Sequence, residues 1–143
     1  MLTDWSQFLD LKREDQANFL LDLAKKSLPF LINDDNIKSN ICRYVDLAES
    51  VISGDIDKFD ELLVFLNDEK TGNDFSDYFN ILIVADYDST KELAVVDICS
   101  YACGFVCLYT AEKLGIKGLP DPVLQSTADE YEYYKEKSEL LRI

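Results

Sequence analysis

Three cysteines, Cys99, Cys103 and Cys107, stand four residues apart in a stretch that carries no charge from Ile98 to Ala111. On a helix, each step of four turns the side chain by only about 40°, so the three thiols share a face. Thiolates are good ligands for zinc and iron, and such a face is a natural place to look for a metal. Structural zinc, however, usually takes CxxC pairs from separate turns, often with histidine. The chain has no histidine, and its fourth cysteine, Cys42, lies far off in sequence. Buried thiols are also common as small, soft core residues. Small, soft residues let another helix approach closely, as Ser100, Ala102 and Gly104 also do. Neither metal nor other cofactor is expected, and without histidine no Ser–His or Cys–His nucleophile can be assembled.

The second chemical candidate is Asp86-Tyr87-Asp88-Ser89-Thr90, directly after the apolar run Ile81 to Ala85. This pattern resembles the DxDxT motif of the haloacid-dehalogenase-like phosphatases. The resemblance implies a strand before the motif, Asp86 as nucleophile on phosphorus, Asp88 as acid–base, and a nearby Mg²⁺. The chain departs from that family downstream. Only 53 residues follow Thr90, with no Asp-Asp pair for the metal and no strand pattern. A helix start accounts for the same residues, with Asp88 and Ser89 as caps and Thr90 in the first turn. Calcium fits no better. An EF-hand loop begun at Asp86 places Lys91 where glycine is required, and one begun at Asp55 places Asp60 there. A non-enzyme is expected.

Charge points towards a protein partner. The chain holds 28 acidic and 14 basic residues, a net charge of −14. That disfavours nucleic acid and anionic membrane as ligands and favours a basic protein. Residues 55–97 hold 12 acids against 3 bases, a net −9. There Asp68, Glu69, Asp74, Asp77, Asp86 and Asp88 are interleaved with Phe75, Tyr78, Phe79 and Tyr87. One reading is a solvated face with its aromatics turned inward. The other is an interface in which carboxylates steer a partner and aromatics anchor it. The expected binding residues are Asp68, Glu69, Asp74, Phe75, Asp77, Tyr78, Asp86, Tyr87 and Asp88. The alternative surface is a C-terminal helix where Tyr131, Tyr133 and Tyr134 alternate with Glu130, Glu132 and Glu136.

The elements that must position these residues all read as helices. Thr3 or Asp4 can cap a first helix, Trp5 to Leu11. A second begins near Lys12–Glu14, follows Ala17, Leu20, Ala24, Leu28 and Leu31, and ends or kinks at Pro29. Asp34 and Asp35 precede a third, with Ile37, Ile41, Tyr44, Ala48 and Val51 on one face and Gly54 at its end. Asp55 can cap a fourth that carries Ile56, Phe59, Leu63 and Leu66. A polar loop, 67–74, follows. Ile81 to Ala85 fits a buried strand or a short helix, and with no partner strand it is read as helix, Ser76 to Ala85. Ser89 and Glu92 form a capping-box pattern at the head of the longest helix, 89–114, which Gly115 closes. That helix is apolar on every side and so should be buried on every side. Its uncharged run is shorter than a membrane span needs. After the loop 117–122, Thr127 and Glu130 form another capping box before a last helix, Ala128 to Leu141. The expectation is a single all-α domain, residues 1–143: a compact bundle of about six or seven helices around 89–114. The N-terminus, MLTDWSQF, has no basic or apolar leader pattern, so a cytoplasmic location with reduced cysteines is expected.

The segments LDLAKKSLPFL (21–31) and VVDICSYACGFVCLYTAEK (95–113), with Leu119-Pro120 after them, resemble the all-α immunity proteins of bacterial polymorphic toxin systems. The resemblance implies neutralisation of a cognate toxin by tight, direct binding without catalysis. Many such toxins are nucleases with basic clefts, which suits an acidic inhibitor. The cysteine-rich helix departs from the family pattern and leaves subfamily and toxin open. A helical adaptor or a self-associating scaffold is the competing expectation.

Overall fold

The computed structural model describes residues 5–66 and 74–116. Among them the chain is all-α, with no strand. The elements are α1 (Trp5–Asp10), α2 (Arg13–Ser27), a 3₁₀ turn (Leu28–Phe30), α3 (Asp35–Ile52), a second 3₁₀ turn (Ile56–Lys58), α4 (Phe59–Leu66), α5 (Asp74–Ile83) and α6 (Thr90–Leu114). The last helix expected from sequence, 128–141, and the loop 67–73 lie outside the described residues.

The ends of the helices follow local chemistry in most places. Asp34 caps α3 by accepting from the Ile37 N–H at 3.0 Å. Pro29 stops α2 and lies inside the 3₁₀ turn. Gly54 follows the end of α3 at φ 116°, and Gly115 caps α6 at φ 73°, both in the left-handed region open to glycine. Two expected caps are not formed. Asp55 makes no side-chain cap bond and instead pairs with Lys58 at 3.7 Å, in front of a 3₁₀ turn rather than an α-helix. The Ser89–Glu92 capping box is absent as well. Ser89 Oγ donates to the Leu82 carbonyl at 2.7 Å, and Glu92 is bound elsewhere. Asp88 takes over part of the work, accepting from the Thr90 N–H at 3.1 Å and the Thr90 hydroxyl at 2.7 Å.

Helical periodicity placed the core well. Ile37, Ile41, Tyr44, Ala48 and Val51 of α3 are all buried, as are Ala17, Leu20 and Ala24 of α2. Ile56 departs from expectation: it sits in the 3₁₀ turn, exposed, while Phe59 and Leu62 supply the inward side chains. α6 packs against α2, α3, α4 and α5. Fourteen of its side chains are buried, from Glu92 to Ala111. It is the one helix among the described residues long and apolar enough to cross a membrane, and 67% of its apolar window is buried inside the fold. Phe105 of α6 meets Phe8 of α1 edge-on at 5.7 Å, and the Arg13 guanidinium lies over the same ring. That contact ties the lower end of α6 to the start of the chain.

Candidate partner-binding site

The three cysteines of α6 sit within the core. Cys99, Cys103 and Cys107 are all at most 3% exposed. Cys99 Sγ lies 3.9 Å from the Ser27 hydroxyl, and the Cys103 thiol donates weakly to the Tyr44 carbonyl at 3.8 Å. Burial pushes the Cys99 and Cys107 thiols up to about 12, and raises Cys103 too, because a thiolate there would be desolvated. Cys42 is half-buried on α3. No group of three metal-binding side chains occurs among the described residues. Gly104 carries a correction: a Cβ there would meet nothing within 4 Å. Among the described residues, close helix approach does not depend on that glycine.

The acidic middle divides. Asp68 and Glu69 lie outside the described residues. Asp74 and Phe75 fall in the first turn of α5. Asp77 is exposed on the same helix, whereas Tyr78 is only 8% exposed and belongs to the core. Tyr78 was expected as a surface anchor, but the turn of α5 that presents Asp77 to water directs the next residue inward. Asp86 and Asp88 are exposed in the connection from α5 to α6, and Tyr87 between them is partly exposed. The Asp88 carboxyl is held below its usual value by its bonds to the Thr90 hydroxyl and amide, with a smaller contribution from the charge of Lys91. The helix before Asp86 runs only to Ile83, not to Ala85 as expected, and a turn at Val84 follows it, so the strand implied by the phosphatase resemblance is missing.

The apolar run before this connection is less buried than its composition suggests. Leu82 alone is buried; Ile81 is 48% exposed, Ile83 55% and Val84 81%. Ile32, after the 3₁₀ turn at Pro29, is 73% exposed. A run of five apolar residues covers more than one face of a helix, so some of them must meet solvent or a partner. That run length was the available signal.

Between the 28–33 connection and the head of α6 lies a cleft of about 200 Å³, lined by Pro29, Phe30, Ile32, Asn33, Asp88, Lys91 and Glu92. Glu92 is 2% exposed. Its Oε1 accepts from both the Asn33 backbone N–H, at 3.1 Å, and the Asn33 side-chain amide, at 2.6 Å. Oε2 is buried with no hydrogen-bond partner of acceptable geometry among the described residues. Lys91, the residue before it, holds its ammonium 5.5 Å from the centre of the Phe30 ring. The Tyr87 phenol is raised above its usual value by burial, then by the charges of Glu92 and Asp34 and by its closeness to the Glu92 carboxylate. Sequence reading missed Glu92 as a site residue because its spacing from Ser89 satisfied a capping pattern.

No family model, curated protein or solved structure matches this chain. The site therefore has to be read from its own chemistry. It offers exposed aliphatic side chains, the exposed carboxylates Asp86 and Asp88 in the α5–α6 connection with Asp77 on α5, and a buried carboxylate lining a small cleft. The core thiols, away from this site, are held protonated by burial.

Proposed function

We propose that the protein neutralises a cognate bacterial toxin by direct, non-catalytic binding, and that the partner seats on the face around the α5–α6 connection. The observation that carries this reading is the exposure of Ile83 and Val84 next to the exposed carboxylates Asp86 and Asp88 of the connection, with exposed Ile32 lining the same cleft as Asp88. Exposed aliphatic groups flanked by charge are typical of binding surfaces. The net −9 of residues 55–97 would steer a basic partner, such as a nuclease domain, onto it. Asp68, Glu69, Asp74, Phe75 and Tyr87 complete the surface in this reading; Tyr78 supports it from beneath. The whole chain would form one bundle of about six or seven helices around α6, working in the cytoplasm without a cofactor.

The exposed Ile83 and Val84 also favour a second reading, a self-associating scaffold whose copies meet on the same helix end. Two measurements separate the readings. Sedimentation of the purified chain as a monomer at high micromolar concentration removes the scaffold. Capture of a toxin domain encoded beside this gene supports the inhibitor. Simultaneous Asp77→Lys and Asp86→Lys substitutions should then slow association and flatten its salt dependence. Failure to bind that domain at micromolar concentration would reject the inhibitor reading.

A further inference from the structure

We propose that the cleft at the head of α6 is a socket for one arginine side chain of a protein partner, with Glu92 as the residue that accepts it. This rests on the inhibitor reading for the origin of the arginine, and on the cleft alone for its chemistry. Glu92 is 2% exposed, and its two oxygens are treated unequally: Oε1 takes both Asn33 donors, while Oε2 has none among the described residues. A buried carboxylate oxygen needs a donor, and a charged donor satisfies it best.

The rest of the lining selects the donor. Asp88 adds a second carboxylate at the same cleft, and Lys91 supplies one positive charge. Formal charges there total −1, so an incoming cation completes neutrality. Lys91 is drawn over the Phe30 ring and makes no ion pair with Glu92. A volume of about 200 Å³ holds one long side chain, below the several hundred Å³ of a typical small-molecule site. Pro29, Phe30 and Ile32 provide apolar walls. A guanidinium is planar, weakly hydrated and rich in donors, so it can address Glu92 and Asp88 together and lie against those walls. An ammonium is a strongly hydrated point charge and fits them less well. Ile32, exposed where it lines the cleft, would exclude water around the inserted group, as residues around a binding hot spot do.

The test needs no toxin. The isotope-labelled full chain is titrated with N-acetyl-arginine-N-methylamide, its lysine analogue and its neutral citrulline analogue. The Asn33 backbone and side-chain amide signals are followed by NMR. Saturable shifts with arginine, at least tenfold weaker with citrulline, are expected. Glu92→Gln keeps an acceptor for Asn33 and should abolish that preference. If Glu92→Gln does not fold by circular dichroism, the exposed Asp88→Asn serves instead and should weaken arginine at least threefold. Equal shifts with citrulline, an arginine preference untouched by the variant, or tighter binding of the lysine analogue would each overturn the proposal. Arginine binding without capture of any toxin would reject the inhibitor reading and leave the socket standing. Toxin capture indifferent to Glu92→Gln would do the reverse.

Discussion

The middle of α6 and its N-terminal end are both buried, yet they bury different chemistry. In the middle, Ile98, Cys99, Ala102, Cys103 and Val106 are sealed by neighbouring helices, and their polar atoms are limited to thiols that burial keeps neutral. At the end, a carboxylate is buried beside a cleft, with one oxygen satisfied by Asn33 and the other without a hydrogen-bond partner among the described residues. The first arrangement maximises cohesion and leaves nothing to react. The second sacrifices some cohesion and, in the proposal above, retains a group for a cation. On one helix, a few turns separate a part that holds the fold from a part proposed to meet a partner.

The largest effect should come from the sealed part. Ile98→Ala, at a position with no exposure, should cost about 2–5 kcal/mol in urea unfolding. A cost under about 1 kcal/mol would mean that the middle of α6 is not tightly enclosed. Next comes the open end. Glu92→Ala strands the Asn33 donors and should cost about 1–3 kcal/mol, whereas Glu92→Gln should cost clearly less. Equal losses would show that Glu92 contributes through its charge rather than through the Asn33 bonds.

The thiols give a pH-dependent comparison. Their ordinary value is 9.0, and Cys99 and Cys107 are raised to about 12 in the fold. Above pH 9 the unfolded chain releases these protons while the folded chain retains them. Stability should therefore be complete below pH 9 and fall progressively towards pH 12. Cys99→Ala should make that fall shallower, and an unchanged slope would contradict the burial of this thiol. The smallest effect is expected at Gly104, where a methyl group meets nothing among the described residues. Gly104→Ala should stabilise the helix by about 0.5–1 kcal/mol, read as a raised melting temperature. A loss instead would reveal a close neighbour over that face.

What was legible in the sequence depended on range. Asp34, Pro29, Gly54 and Gly115 act within a few residues of themselves, and their spacing to apolar neighbours marked the helix ends directly. The α3 face from Ile37 to Val51 was equally plain, because one face of one helix has a fixed period. The candidate site was harder to read. Glu92 finds its partner 59 residues away at Asn33, and no local pattern records that contact. Tyr78 and Asp77 are adjacent, so composition grouped them, while the helix turns them to opposite environments. The exposure of Ile83 and Val84 follows from the run exceeding one helix face, a clue outweighed by their strong apolar character. Asp86 and Asp88 were placed correctly in the connection; whether a partner meets them there is what the charge reversals decide.

The sealing of Cys99, Cys103 and Cys107 also turns the molecule into its own clock. An alkylating reagent in native buffer can reach Cys103 only when the packing around α6 opens. If reclosing outpaces the reagent, the labelling rate is the reagent's intrinsic rate scaled by the fraction of time spent open. Half-buried Cys42 sits in the same tube and reacts on a different schedule. The ratio of the two modifications, read by peptide mass, times the release of α6 without denaturant. A bound partner that clamps either end of the helix would slow that clock.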